Sequence, residues 1–189
     1  MVDEVELAEI LHGHLSPGVA LGVRMGQIGL KKVGLSRGDK RLFAVVETAL
    51  CLADGIQAST GCTVGHSSLR VEDFGKLAAC IFRSDTKEGI RLSLKIGSLP
   101  PALRDWVMRK RKFSREEEEK IVKEILHLDE ASFNIEYVTA EPFSKFEEAA
   151  IVKCEACGEL IIETKAIKVE GRTLCRACHG ERYYRPHKT

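Results

Sequence analysis

Four cysteines near the end of the chain have the spacing of a metal-binding site. Cys154 and Cys157 form one Cys-x-x-Cys pair, Cys175 and Cys178 form a second, and 17 residues separate the pairs. A Cys-x-x-Cys turn directs two sulfurs toward one point, and two such turns complete a tetrahedron of thiolates about 2.3 Å from a central ion. Zinc is the ion that structural sites of this kind usually hold. The sequence therefore predicts one structural zinc ion bound by these four residues.

The sequence around the two pairs favours a metal over disulfides. The chain has seven cysteines, an odd number, and paired Cys-x-x-Cys motifs in an intracellular protein indicate metal binding. Glu170-Gly171 predicts a two-residue hairpin turn that brings the pairs together. A segment of about 35 residues has too little core to fold unaided, so metal binding, worth roughly 10–16 kcal/mol in zinc-finger peptides, would be its main support. Disulfides, reduced thiols and a rubredoxin-like iron site are the alternatives, because tetrahedral thiolates also suit iron.

A second group of metal-binding residue types lies earlier in the chain. His12 and His14 are two residues apart, Cys51 follows a predicted buried strand, and Cys62 lies in a glycine-containing loop. Residues two apart in extended backbone point the same way, so both imidazoles can face one pocket. Histidine and thiolate together suit zinc or another borderline metal, and incomplete ligation by protein leaves a position for water or substrate. The alternative is that the cysteines are small core residues and the histidines cap or hydrogen-bond the following helix.

Two further side chains could transfer protons at this second group. If His14 and Cys51 hold a metal that activates a bound water, Asp54 or Lys76 would supply the proton transfer. The large domain would then be a metalloenzyme, and the chain would hold two metal ions. Cys80 lies inside an apolar run and is predicted to be a core residue.

The elements that position the second group begin with two predicted helices. Acidic and apolar positions alternate over residues 3–11, which is consistent with a short helix. Ser16-Pro17 is a strong start for a second helix, which should reach about Lys32 and stop at Gly34. Glycines recur every four residues on one face of this helix, at positions 18, 22 and 26. Because glycine costs helix stability, such a row indicates that another backbone approaches closely.

Hydrophobic periodicity and capping signals predict the elements that follow. In chain order these are a buried strand at 42–50, a glycine-punctuated loop at 59–66, strands at about 77–82 and 90–96, helices at about 101–111 and 114–128, and a strand at 133–138.

Composition limits the classes of partner. The chain is 44% hydrophobic and 30% charged, the balance of a globular protein, and its formal net charge is +1. The protein as a whole therefore has no net charge that would attract it to nucleic acid or an anionic membrane.

In the tail, glutamates nearly cancel the charge of the arginines, so we expect a docking module rather than a nucleic-acid surface. No apolar run approaches the roughly 20 residues that cross a bilayer, and the N-terminus is acidic where a signal peptide is basic. We therefore expect a cytoplasmic protein.

Several motifs, taken in order, resemble the family of the E subunit of formylmethanofuran dehydrogenase. The points of likeness are His12-Gly13-His14 before Pro17-Gly18, then Cys51-Leu52-Ala53-Asp54-Gly55-Ile56-Gln57, Thr60-Gly61-Cys62-Thr63-Val64-Gly65, Asp73-Phe74-Gly75-Lys76 and the four-cysteine tail. The resemblance covers nearly the whole chain. It implies an α+β fold, with an α-β-α-β-β-β core containing a mixed sheet and a small C-terminal zinc-ribbon or treble-clef domain. We place the large domain at residues 1–148 and the zinc-binding domain at 149–189.

The resemblance also implies a function. It favours a metal-binding accessory or partner protein of a molybdenum- or tungsten-dependent formyl- or formate-type oxidoreductase, one that does not itself carry the pterin cofactor. No dinucleotide or P-loop fingerprint is present in the sequence, which agrees with an accessory role. The family pattern usually has cysteine where this chain has Ser16, and serine is a poor ligand but a good helix cap. The alternatives are a stand-alone metalloenzyme and a nucleic-acid-binding regulator. We expect a homodimer, since two-fold dimers are the commonest oligomers.

Overall fold

The computed structural model describes residues 3–143 and 149–185. The chain divides into two compact units, Met1–Lys145 and Phe146–Thr189. The larger unit has both helices and a five-stranded sheet, and the smaller one has two short hairpins. The predicted α+β fold is confirmed. The domain boundary expected between residues 148 and 149 adjoins residues 144–148, which lie outside the described residues.

The larger unit contains ten main elements, followed by four short strands in the smaller unit. In chain order they are α1 (Glu4–His12), α2 (Pro17–Val33), β1 (Leu42–Val46), α3 (Leu52–Thr60), β2 (Leu69–Val71), β3 (Ala78–Arg83), β4 (Glu88–Leu94), α4 (Pro101–Val107), α5 (Arg115–Leu126), β5 (Phe133–Thr139), β6 (Ile151–Lys153), β7 (Leu160–Ile162), β8 (Ile167–Val169) and β9 (Arg172–Leu174). Single 3-10 turns lie at Ile96–Ser98, Glu130–Ser132 and Glu163–Lys165.

The sheet of the larger unit is mixed. Its strand order is β2-β1-β3-β4-β5, with β1 and β2 parallel and the other neighbours antiparallel. Helix α2 is central, because it contacts α3 and α5 as well as β3 and β4. Parallel strands end at the same edge of a sheet, so the loops after β1 and β2 emerge together. Cys51 and Lys76 lie in these two loops.

Helix α2 begins and ends as its sequence predicts. The Ser16 hydroxyl accepts a hydrogen bond from the Val19 N–H, Pro17 occupies the first turn, and Gly34 closes the helix with a φ of 68°. The predicted close approach at the glycine row is also confirmed, since a Cβ on Gly22 would lie 2.2 Å from the Leu52 carbonyl oxygen. The approaching backbone is that of α3, whose Gly55 in turn lies against α2.

Helix α3 itself is a departure from the sequence-based prediction. The loop expected at 59–66 starts inside this helix, which runs to Thr60. Gly55 weakens the local helix signal, and packing against α2 compensates for it. The Ser59 and Thr60 hydroxyls donate to the carbonyls of Gly55 and Ile56, at 2.7 and 2.6 Å, so both are satisfied within the helix. The strand expected at 42–50 is shorter as well, because the chain turns after Val46 toward α3.

Replacing Gly22 by alanine should destabilise the larger unit by about 3 kcal/mol, near the upper end of ordinary overpacking costs. The added methyl would meet backbone atoms of α3, which cannot rotate away. Alanine normally stabilises a helix relative to glycine, so the sign of the effect is diagnostic. Urea unfolding followed by the fluorescence of Trp106, which packs against the core, measures it. Gly97→Ala is the control, because a Cβ there meets nothing within 4 Å. A neutral Gly22→Ala would contradict the packing.

Candidate metal sites

The four tail cysteines lie at the ends of two hairpins. Strands β6 and β7 pair antiparallel, and Cys154 and Cys157 lie in the turn between them. Strands β8 and β9 form the second hairpin, and Cys175 follows β9 directly. Glu170 and Gly171 both have positive φ, at 48° and 78°, as a type I′ turn requires. The predicted hairpin turn is therefore confirmed.

The four sulfurs form one cluster. They all lie within 4.8 Å of one another, and the Sγ atoms of Cys157 and Cys175 are 3.9 Å apart. Ligands of a tetrahedron with 2.3 Å bonds are about 3.8 Å from each other, so the spacing suits a bound ion. A disulfide needs about 2.05 Å between sulfurs, and all four cysteines are free. The cluster can therefore hold a metal ion.

Backbone N–H groups donate hydrogen bonds to two of the four sulfurs, those of Cys154 and Cys175. The N–H of Cys175 donates to the Cys154 sulfur and that of Cys178 donates to the Cys175 sulfur, both at 3.3 Å. Backbone N–H groups of Cys157 and Cys175 lower the pKa of Cys154 to about 6. The Cys178 thiol instead donates to the neighbouring sulfurs of Cys175 and Cys157, which favours its protonated form and raises its pKa to about 12. Cys154 therefore loses its proton readily, whereas the neighbouring sulfurs keep Cys178 protonated. A divalent cation at the centre would remove that opposition, because metal binding displaces the remaining protons.

The smaller unit has almost no other core. Among its described residues, 149–185, Cys154 is the one buried side chain, and large apolar residues such as Leu160 are exposed. Two of its arginines are paired, Arg172 with Glu155 and Arg176 with Glu181. The four-cysteine cluster is thus the feature around which this unit can fold. Two of its basic side chains are balanced by glutamates.

In the larger unit, His12 and Asp54 form a direct contact. His12 ends α1, Asp54 lies in the first turn of α3, and the His12 Nδ1 is 2.7 Å from the Asp54 Oδ2. The His14 ring centroid is 5.0 Å from that of His12. Cys51 immediately precedes α3 and packs on α2, so a Cβ on Gly18 would lie 3.0 Å from the Cys51 Cβ. The junction of α1, α2 and α3 therefore gathers the two histidines, Cys51 and Asp54.

These residues fall within a recognised family. The model of the family described as "FmdE, Molybdenum formylmethanofuran dehydrogenase operon" matches residues 11–139. The chain belongs to the FmdE family. None of the helices in the described parts of this FmdE-family chain has the length and apolar character needed to cross a membrane.

Two individual proteins are also similar to this chain. The crystal structure of an FmdE-like protein from Syntrophus aciditrophicus, named for the E subunit of a tungsten formylmethanofuran dehydrogenase, superposes with a TM-score of 0.75 at 27% identity, over 95% of this chain and 92% of that one. An Archaeoglobus fulgidus protein named "Probable S-adenosyl-L-methionine-binding protein" is 32% identical over 195 residues. That alignment covers 93% of this FmdE-family chain and 52% of the relative, so the chain spans about half the relative's length.

The structure of this FmdE-family member places Cys62 apart from the junction. Cys62 follows the far end of α3, whereas Cys51 precedes its start, and a nine-residue helix is about 13 Å long. The Cys62 side chain is buried, its sulfur donates to the Leu42 carbonyl at 3.6 Å, and burial raises its pKa. Cys62 thus lies in the hydrophobic core of the larger unit. The local sequence carries no direct signal of this, because the helix that separates the two cysteines is weakly marked in it.

Lys76 lies in the loop between β2 and β3, and its described contacts are with Phe74 and Glu47. Its ammonium is 5.8 Å from the Phe74 ring, and its backbone N–H donates to the Glu47 carbonyl at 3.0 Å. Within residues 3–143 and 149–185, no three His, Cys, Asp or Glu side chains outside the tail come within 4.8 Å of one another. Among the candidate residues of the second group, His12 and Asp54 are thus joined by a direct side-chain contact.

A cleft that sequence reasoning missed opens beside His14. It has a volume of about 880 Å³ and lies between the α1–α2 loop, with His14 and Ser16, and helix α5, with Arg115, Glu118 and Lys123. The sequence of α5 shows its capping box and apolar face, both of which the structure confirms. Nothing in that pattern indicates that its charged side faces a cleft, since this depends on the placement of the preceding loop.

Ser16 and Cys51 both lie beside Gly18, and this yields a prediction. A Cβ on Gly18 would be 3.7 Å from the Cys51 sulfur and 3.9 Å from the Ser16 hydroxyl, so both side chains border one point. Ser16→Cys should therefore give a thiol pair in which the new thiol forms a disulfide with Cys51 in air, or binds an additional zinc ion under reducing conditions. Peptide mapping and native mass spectrometry measure these outcomes. Ser98→Cys, at an exposed turn, is the control and should do neither. Two unreacted thiols in Ser16→Cys would contradict the proximity.

Proposed function

We propose that this chain is a metal-binding accessory protein of a molybdenum- or tungsten-dependent formyl- or formate-type oxidoreductase. It holds zinc at Cys154, Cys157, Cys175 and Cys178 and leaves the pterin cofactor to another component of the complex. The observation that carries the proposal is the cluster of four sulfurs within 4.8 Å of one another. It occurs in a member of the family whose description names the molybdenum formylmethanofuran dehydrogenase operon. The similarity to the Syntrophus aciditrophicus protein points in the same direction.

The tail acts as the docking module in this proposal. A zinc ion would rigidify a small unit whose apolar side chains face outward, among them Ile151, Leu160 and Tyr183, which are 58%, 76% and 96% exposed. Exposed apolar and aromatic side chains beside charged ones are typical of protein contacts. The paired arginines support a protein partner over nucleic acid. A homodimer in the cytoplasm remains our expectation.

Affinity capture from native cells tests the accessory role. A tagged wild-type chain should recover components of a molybdenum or tungsten oxidoreductase, and the Leu160→Asp variant, which alters an exposed tail side chain, should lose most of them. Val64→Asp is the matched control, because Val64 is a similarly exposed apolar residue of the larger unit. Recovery of unrelated proteins alone, from cells that express such an oxidoreductase, would contradict the proposal.

A second candidate function is a metalloenzyme whose site is the junction in the larger unit. The His12–Asp54 contact favours it, since a carboxylate that supports a histidine is common around bound metals. His12, His14 and Cys51 would hold the ion, and an open position would take water or substrate from the cleft. Metal analysis should then find two metal ions per chain, one of which is lost to a chelator far more easily. One ion per chain, lost entirely in tail variants, would exclude this function.

A further inference from the structure

The contact between His12 and Asp54 is a specific tertiary interaction. The two residues are 42 positions apart and belong to different helices, and their side chains are 18% and 40% exposed. An ion pair with this exposure contributes little to stability, about 0–1 kcal/mol. The buried apolar residues Ala8 of α1, Val19 of α2 and Ala58 of α3 already pack these helices together, so the contact is available for a role other than holding α1 against α3.

The chemistry of the two groups fixes the position of one proton. An ionised carboxylate can only accept hydrogen bonds. The ring nitrogen that faces Asp54 is Nδ1, so an ionised Asp54 favours the form of His12 in which Nδ1 carries the hydrogen. In a neutral imidazole the other nitrogen, Nε2, then holds the free lone pair. Asp54 thereby selects one tautomer of His12 and fixes the plane of its ring.

We propose that Asp54 is a positioning residue, which holds His12 so that its Nε2 is presented as the ligand for a divalent transition-metal ion. Ligating histidines commonly donate their second N–H to a carboxylate in this way. His14 stands beside the His12 ring, and Cys51 is three residues before Asp54, on the same side of the helix start. This inference rests on the second metal site proposed above. It gives Asp54 an orienting role in place of the proton transfer that its sequence suggested.

Two measurements on the full-length, zinc-loaded protein test the proposal. Long-range ¹H–¹⁵N spectra report which nitrogen of His12 is protonated, and titration with Co²⁺ reports binding outside the zinc-filled tail. Wild type should show the Nδ1–H form and bind Co²⁺. Asp54→Ala should lose the preference for Nδ1–H and bind Co²⁺ about 10–100-fold more weakly. Asp54→Asn keeps an acceptor oxygen and should retain the tautomer with a smaller loss, whereas Glu6→Ala, an exposed carboxylate of α1, should match wild type.

Each contrary outcome is informative. A bare Nδ1 in wild type, or equal Co²⁺ affinity in Asp54→Ala and wild type, would overturn the positioning role. A wild-type chain that takes up no Co²⁺ would overturn the metal ligand and the second candidate function together. The accessory role would be untouched by that result, because it depends on the tail and is tested by affinity capture.

Discussion

Replacing Cys154 by serine is expected to unfold the tail and leave the larger unit folded. Cys154 is the buried sulfur, and it accepts a hydrogen bond from the Cys175 backbone as well as facing the other cysteines. Metal binding in small zinc domains is worth roughly 10–16 kcal/mol, and the four short strands of the tail have no core that could replace it. Backbone NMR spectra should show residues 149–185 collapsing to unfolded shifts while the signals of the five-stranded sheet stay in place.

The comparison for this variant is Cys80→Ser. Cys80 lies on β3 in the larger unit and has no part in the tail cluster, so its substitution should leave the tail spectrum unchanged. Removing metal from wild type with a strong chelator should reproduce the Cys154→Ser spectrum, and adding zinc back should reverse it. An ordered tail after complete removal of metal would contradict this explanation of its folding.

Replacing Arg91 by leucine should destabilise the larger unit by about 3–5 kcal/mol at neutral pH, the usual cost of leaving a buried charge unpaired. Arg91 donates two hydrogen bonds to Glu47, at 2.6 and 2.9 Å, and a third to Glu136. The Glu47 side chain is only 9% exposed. Without the guanidinium, its carboxylate would stay buried beside an apolar side chain.

The same pair makes a prediction about pH. The hydrogen bonds from Arg91 lower the pKa of Glu47 below its ordinary 4.5. A lowered pKa in the folded state means that the pair stabilises the protein above the unfolded pKa and that this contribution is lost as pH falls through the folded one. The gap between Arg91→Leu and wild type should therefore close in acid. Urea unfolding across that range measures it, with Arg115→Leu as control, because the Arg115 side chain is 95% exposed. If Arg91→Leu lowers the free energy of unfolding only slightly, and equally at every pH, the stabilising role of the Arg91–Glu47 pair would be refuted.

The sequence was most informative where structure depends on near neighbours. The Ser16-Pro17 start of α2, the capping box at Ser114 and the Glu170-Gly171 turn all follow from contacts within a few residues, and the structure has each of them. The cysteine spacing belongs to the same class, since each Cys-x-x-Cys turn is local. The hairpin between the pairs then brings them into one cluster.

Contacts between distant residues explain what the sequence did not predict. Helix α3 owes its stability to α2, on which its Gly55 packs, and no local pattern records that partner. Glu47 is the one charged residue in the apolar run at 42–50, and its partner Arg91 is 44 residues away. The His12–Asp54 contact and the separation of Cys62 from Cys51 both follow from the placement of α3. The distance between Cys51 and Cys62 is thus set by a helix that the local sequence marks only weakly.

Native mass spectrometry of the reduced, full-length chain most directly tests whether the tail is a metal site. We predict one zinc ion per chain that survives a weak chelator and is absent from Cys154→Ser. A wild-type chain that carries no metal, with Cys154, Cys157, Cys175 and Cys178 found as cystines or as free thiols that zinc does not protect from alkylation, would contradict that claim.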